Sequence, residues 1–284
     1  MGTVTSAWQQ EPIRMRPDHV PQAWSLSAAL SWPYREEDWR VALELGQGVA
    51  VEADGRLIAT ALWWPHDAAF ASCGMIIVSP EFQGRGIGRR LMDELLRQAG
   101  ARTIILNSTR EGHALYERLG FVDCGEVNQH QAVLAQAPAA PHADGIRPFS
   151  PADSEAIRDL DRRATGIERA ALLEALFALR SGLVIERAGR ITGYGWVRRW
   201  GRGVVIGPVV ARDAADAKAL IAALAAAHAG GFVRIDVTGA HGLSPWLAGI
   251  GLPRVDGAVT MVRGAPPVLA ADATLFALFN QSLG

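Results

Sequence analysis

Three landmarks of this chain come round twice at nearly constant spacing, and that repetition constrains the architecture more than any single motif. "IRMRPDH", beginning at Ile13, is answered by "IRPFSPAD", beginning at Ile146, an offset of 133. "GVAVEADGRLIATALWW" (48–64) is answered by "GLVIERAGRITGYGWVRRW" (182–200), with Gly55 and Gly189 lying 134 apart. "YERLGF" reaches Gly120 where "LAGIGL" reaches Gly251, an offset of 131. Self-similarity at one period marks a duplicated structural unit, and 284 residues are enough for two domains that each bury a core. Residues 135–145, "AQAPAAPHADG", are rich in Ala and Pro without an apolar period and read as a linker. The expected domains are therefore 11–134 and 146–264, followed by a tail, 265–284, whose segment "DATLFALFNQSLG" has an apolar face suited to docking on a domain or on a second subunit.

Within the first copy the apolar pattern alternates between the two secondary-structure periods. It predicts a short strand at Ile13, a helical stretch over 20–45, and strands at 49–52 and 57–64 joined by the hairpin turn "ADGR". A strand at 74–78, an amphipathic helix over 89–99, a strand at 103–107, a short helix over 112–120 and a last strand from Phe121 complete it. This order implies an α/β (α+β) class, with a mixed and mostly antiparallel sheet flanked by helices in each copy.

A net charge of −1 leaves no broad basic field, which argues against nucleic acid as a partner. The N-terminus lacks a charged-then-apolar leader and no apolar run approaches a bilayer span, so a cytoplasmic protein without a membrane partner is expected. Cys73 and Cys124 are too few for a disulfide framework and lack metal-ligand spacing, so no metal is expected.

The stretch "VSPEFQGRGIGRRLMDELL" (78–96) carries the chemistry. Gly84, Gly86 and Gly88 stand between an apolar strand and an amphipathic helix. Glycines there allow positive φ and leave no Cβ in the way, so successive N–H groups can converge on one anion. The unpaired N–H groups and dipole of the following helix add to the attraction, and Arg85, Arg89 and Arg90 can supply charge-assisted contacts. The pattern is neither a P-loop, for no Lys-Ser/Thr pair follows, nor the dinucleotide fingerprint, for it reads G-x-G-x-G deep inside a domain.

Gln83-Gly84-Arg85-Gly86-Ile87-Gly88 resembles the [QR]-x-x-G-x-[GA] pattern by which GNAT acetyltransferases hold the pyrophosphate of acetyl-CoA. "LYERLGF" (115–121) is similar to the late helix and strand entry of the same superfamily. Thr109, Gly112, Leu115 and Tyr116 resemble the T-x-x-G-x-x-L-Y variant of a bacterial subgroup with two GNAT-like domains. The resemblance implies that Gln83, Gly84, Arg85, Gly86, Ile87, Gly88 and Arg89 hold the pyrophosphate, while the backbone at Ile76, Ile77 and Val78 faces the thioester carbonyl. Many members place an asparagine where this chain has Glu111, so Asn107 or Thr109, near Gly112, is expected to replace that cofactor contact.

The second copy departs from the pattern. Its counterpart of the loop, "ARDAADAKAL" (211–220), has no glycine, and Asp213 and Asp216 would repel a pyrophosphate. The position matching Tyr116 is Leu247. One cofactor-binding copy is therefore expected, with the second copy walling the acceptor pocket or supporting the first.

By resemblance, Tyr116 protonates the departing sulfur. His66 and His113 are candidate bases, with a water chain to a distant carboxylate as the alternative. Trp32, Tyr34 and one of Trp63 and Trp64 are expected to line an aromatic acceptor site. Arg169, within Asp161-x-x-x-x-Gly166-x-x-Arg169, resembles a subgroup pattern and could clamp an acceptor carboxylate. The implied activity is direct transfer of an acetyl group from acetyl-CoA to a small-molecule amine, in a chain that could pair as a homodimer. A non-catalytic acyl-CoA sensor and a protein N-terminal or lysine acetyltransferase stand as alternatives.

Overall fold

A computed structural model of the chain describes residues 11–139 and 144–284, so positions 140–143 of the expected linker lie outside the described residues. The elements run β1 (Ile13–Arg14), α1 (Val20–Ala29), α2 (Glu36–Leu45), β2 (Gln47–Ala53), β3 (Arg56–Pro65), β4 (Phe70–Val78), α3 (Ile87–Ala99), β5 (Thr103–Ser108), α4 (Arg110–Arg118) and β6 (Val122–Val133). The same order then returns as β7 (Ile146–Pro148), α5 (Ser154–Thr165), α6 (Ala170–Leu179), β8 (Gly182–Arg187), β9 (Arg190–Trp200), β10 (Gly203–Ala211), α7 (Ala214–Ala226), β11 (Phe232–Thr238), α8 (Ser244–Gly249) and β12 (Arg254–Arg263). β13 (Thr274–Ala277) is additional. The duplication in the sequence is thus a duplication of structure.

The chain divides into two compact units, one running to Ile104 and including Leu283, the other running from Ile105 to Ser282 and including Gly284. In the first unit, β1, β2, β3 and β4 pair antiparallel in sequence order. Every residue of β3 between its two ends is buried, which requires cover on both faces. Adjacent side chains show the two covers: the Trp63 indole N–H donates to Gln98 of α3, and the Trp64 indole N–H donates to the Ala42 carbonyl of α2. α3 buries Ile87, Leu91, Met92, Leu95 and Ala99, a helical spacing that turns one apolar stripe to the sheet. The stretch expected as one helix over 20–45 is two, because Ser31 takes a positive φ of 60° and Pro33 keeps Trp32 out of the helical region.

β4 carries a bulge. Thr60 pairs with Ile77 but Leu62 pairs with Gly74, so Met75 and Ile76 together oppose Ala61 alone. Met75 has φ 52°, sparsely populated for a side chain of its kind, and the Thr60 hydroxyl donates to its carbonyl at 3.0 Å.

In the second unit the sheet order is β5–β12–β6–β11–β13–β10–β9–β8–β7. From β12 to β7 each neighbouring pair is antiparallel, and β10 additionally runs parallel to β11 over Val204–Ile206. The last strand of each repeat has crossed over: β12 of the second copy lies between β5 and β6 of the first, and β6 pairs with β11 of the second. Compact units and sequence repeats therefore have different boundaries, because two long antiparallel ladders tie β6 to the second copy.

The tail takes its place in this same sheet. β13 pairs through Ala277, Leu275 and Thr274 with Val209, Val210 and Ala211 of β10, and through Ala277 with Val237 of β11. Phe276, Ala277, Leu278 and Phe279 are all buried. The apolar face read in the sequence is a strand wedged where β10 and β11 part.

Candidate functional site

The glycine stretch forms an exposed turn leading into α3. Gly84 and Gly86 have φ of 74° and 77°, and a Cβ at either would meet nothing within 4 Å, so conformation rather than crowding demands glycine. Gly86 is the N-cap of α3, it has no side chain to bond the free N–H groups, and the first turn contains no acidic residue. An anion can approach those N–H groups without competing carboxylates. The arginines are held lightly at the surface: Arg89 pairs with Asp93 at 3.0 Å with both half-exposed, and Arg85 donates to the Glu81 carbonyl and lies over the Phe82 ring. Gln83 donates its amide to the Val78 carbonyl, and Ile87 is buried beneath Gly88 as the helix begins. The helix starts at Ile87, earlier than the sequence pattern suggested, because Gly88 is accepted inside the first turn.

Ile76 is the second residue of the bulge, and Ile77 and Val78 resume the ladder beyond it opposite Thr60 and Ala59. At the opposite end of β3, the hairpin is closed by Asp67, whose carboxylate accepts from the N–H groups of Ala69 and Phe70. His66 sits in that turn, half-buried, with Nε2 at 3.0 Å from Ser72 Oγ. Trp32 and Tyr34 are half-buried and meet edge to face with ring centroids 6.2 Å apart.

In the second unit, Tyr116 on α4 folds back over Gly112. A Cβ on Gly112 would lie 2.8 Å from the Tyr116 ring, so the glycine of the T-x-x-G-x-x-L-Y pattern makes room for the phenol. Tyr116 is 7% exposed and packs edge-on against Phe121. Thr109 is the N-cap of the same helix, its hydroxyl accepting from Gly112 N–H at 3.3 Å. His113 bonds Asp123 at 2.8 Å and lies 3.5 Å from Glu117, and the hydrogen bond to Asp123 raises its pKa. Of the two candidate bases, His113 is thus engaged by two carboxylates on α4 and β6, and His66 by the Ser72 hydroxyl.

Three expected contacts find their side chains otherwise engaged. Trp64 is 2% exposed, with its N–H on the Ala42 carbonyl, and is a core residue rather than an acceptor wall; Trp63 is buried as well. Arg169 is 4% exposed and grips both oxygens of the buried Asp161, which also accepts from the Tyr194 hydroxyl. Its motif is a staple of the α5–α6 turn, with Gly166 as the left-handed cap between, and no acceptor clamp. The Asn107 amide donates to the Gln281 carbonyl and accepts from the Thr260 hydroxyl, so both of its ends are used within the protein. Burial on alternating faces and pairing between distant segments decide these cases, and neither is visible in a local pattern. The bulge at Met75 likewise depends on pairing with β3, with the adjacent Gly74 as its one weak signal in the sequence.

The counterpart of the loop in the second copy is closed chemically. Asp213 caps α7 by accepting from Asp216 N–H at 2.9 Å, and Asp216, 3% exposed, pairs with Arg187 and with Arg212 at 3.2 Å. The carboxylates already occupy the attraction that an anion would use. Burial pushes the Cys73 thiol up to about 12, which makes it inert at neutral pH. No helix among the described residues is long and apolar enough to cross a membrane.

Residues 45–123 and residues 157–277 each match a family model described as an acetyltransferase (GNAT) domain. YitH, an uncharacterized N-acetyltransferase of Bacillus subtilis, is 27% identical over 286 residues, which cover 96% of this chain and 98% of that protein. A holothin acyltransferase of a Pseudoalteromonas strain is 30% identical over 202 residues, 70% of this chain and 68% of that protein. In fold, the chain is similar to a solved acetyltransferase-like protein from Pyrococcus horikoshii, with a TM-score of 0.80 over 97% of this chain and 96% of that one at 21% identity.

Proposed function

Since the chain belongs to the GNAT acetyltransferase family and is an acyl-CoA-dependent transferase, we propose that it transfers an acetyl group from acetyl-CoA directly to the amine of a small molecule. The observation that carries this reading is the start of α3, where Gly84 and Gly86 take left-handed conformations in open space and no carboxylate stands in the first turn. A pyrophosphate would be held there by N–H groups, with Arg85, Arg89 and Arg90 adding charge.

The chain's own residues then divide the chemistry. A base reached through water, either His66 or a distant carboxylate, removes a proton from the acceptor ammonium, because only a neutral amine can attack a carbonyl. Backbone N–H groups at the β4 bulge, near Ile76 to Val78, polarise the thioester carbonyl. By family resemblance the Tyr116 phenol returns a proton to the sulfur. Trp32 and Tyr34 give an apolar surface for the acceptor, which supports a small molecule over a protein chain. The reading contains one cofactor site for each chain.

Calorimetric titration of acetyl-CoA tests it. Gly86→Glu should lose binding by at least about 100-fold, through positive-φ strain and through charge opposite the pyrophosphate, while Ala215→Glu, at an exposed position of α7, should bind like wild type. Equal loss in both, or no binding by wild type, would overturn the division between the copies. Thiol release from acetyl-CoA across a panel of amines separates a transferase from a sensor, since a sensor would bind and release none.

A further inference from the structure

Thr60 of β3 is wholly buried, and its hydroxyl has a single proton to give. That proton goes to the carbonyl oxygen of Met75 in the β4 bulge, at 3.0 Å, and the direction is fixed because a carbonyl can only accept. The peptide from Met75 to Ile76 is trans, and a trans peptide points its carbonyl and its N–H in opposite directions. Anchoring the Met75 oxygen on Thr60 therefore turns the Ile76 N–H away from Thr60. Met75 has φ 52°, which a side chain of its kind keeps only where its surroundings hold it, and the Thr60 hydroxyl is one group that does so. Ile76 itself is half-buried, whereas Met75 on one side and Ile77 on the other are buried. The second copy offers a comparison. Thr60 pairs with Ala50 and Ile77, and Tyr194 stands in the matching place, paired with Val184 and Val210. The Tyr194 hydroxyl goes to Asp161, so this position ties no carbonyl of β10.

From this geometry we infer that Thr60 is a positioning residue that aims and strengthens the Ile76 N–H as the donor to the thioester carbonyl. The inference rests on the transferase reading above and adds to it which N–H of the bulge acts and which side chain holds it. Aim comes from the planarity of the peptide. Strength comes from polarisation, since a peptide whose carbonyl already accepts a hydrogen bond donates its N–H more strongly, by about 10–30% for each bond. In the step itself, the lone pair of the acceptor nitrogen forms the C–N bond while the C=O pair moves onto oxygen, where the Ile76 N–H meets the charge. The C=O bond then re-forms and the C–S bond breaks with its electron pair leaving on sulfur. Of the two protons lost by the ammonium, one goes to the base and the other balances the one delivered to sulfur. Throughout, the Thr60 proton stays on the Met75 carbonyl, so Thr60 acts only through the peptide plane.

Met75–Ile76 is the only Met–Ile pair in the chain, so full-length protein made with carbonyl-labelled methionine and nitrogen-labelled isoleucine gives one signal in a spectrum correlating each amide with the preceding carbonyl. In wild type, acetyl-CoA should move the Ile76 amide proton downfield, and CoA, which has no thioester carbonyl, should leave it near its ligand-free position. Thr60→Val, which drops the hydroxyl, should move the Met75 carbonyl carbon upfield and weaken the response to acetyl-CoA, while Thr60→Ser should keep both. Thr60→Cys, a weaker donor, covers the case in which Thr60→Val does not fold and should show the same changes in smaller measure. With an amine found by thiol release, Thr60→Val should lower kcat on the order of tenfold with KM for acetyl-CoA unchanged, and Thr60→Ser should recover most of it. An Ile76 amide that answers acetyl-CoA and CoA alike, an unmoved Met75 carbonyl in both Thr60→Val and Thr60→Cys, or an unaltered kcat overturns the inference. Failure of wild type to bind acetyl-CoA, or to release thiol with any amine, would instead sink the transferase reading, and the Met75 carbonyl reports on Thr60 independently of it.

Discussion

The first turns of α3 and α7 start from the same place in a duplicated fold and have opposite chemistry. α3 begins at a glycine with no acidic residue in its first turn; α7 begins at Asp213, whose carboxylate caps the helix, and buries Asp216 between two arginines. The second helix is the better satisfied of the two. The strands show the same contrast. β4 is bulged at Met75, and β10 is irregular between Ile206 and Val209, but the residues beyond the irregularity of β10 are paired by the tail strand β13. In the second copy the helix start and the strand edge are both satisfied by the chain itself.

The largest effect expected in the second copy is on stability. Phe276→Ala removes a ring that is 3% exposed in the core beneath β13 and should cost about 3–5 kcal/mol in urea unfolding, with acetyl-CoA affinity of the folded protein retained. A tail that merely rested on the surface would give a far smaller loss. Next, Asp216→Asn should cost about 1–2 kcal/mol, moderated because Arg187 and Arg212 are partly exposed, and calorimetry should still count one acetyl-CoA for each chain. A second binding event in this variant would break the contrast between the copies. Asp213→Ala should cost about 1 kcal/mol as a lost N-cap and leave affinity alone. The smallest effect belongs to α4. Asp123 raises the pKa of His113, so their pairing contributes stability below the ordinary histidine pKa of about 6.5 and loses it as pH rises through the raised value. Asp123→Asn should therefore lower Tm slightly at pH 6 and not at pH 9.

Much of this was legible in the sequence where the signal is local. Gly84, Gly86 and the amphipathic run after them announce a turn entering a helix, and the repeat offsets announce a second copy of the same element order. Asp213 and Asp216 were readable as repellent to an anion, although not as a cap and a buried ion pair. What stayed hidden depends on distant partners. Nothing around Asn107 points to Thr260 and Gln281, and nothing around Arg169 says that Asp161 will hold both of its forks inside the core. The exchange of β6 and β12 was hidden for the same reason: matching strands in two copies can pair within a copy or across copies, and an alternating pattern is satisfied by either.

The place of β13 has a consequence for how the chain matures on the ribosome. β11 ends at Thr238 and β13 begins at Thr274, yet β13 stands between β11 and β10 in the finished sheet. At a synthesis rate of about 5–20 residues per second, the edges of Val209, Val210 and Val237 wait on the order of seconds for their partner. During that interval the nascent second copy presents unpaired, apolar strand edges of the kind that recruit foreign strands. Those edges are completed only when residues 274–277 have been made.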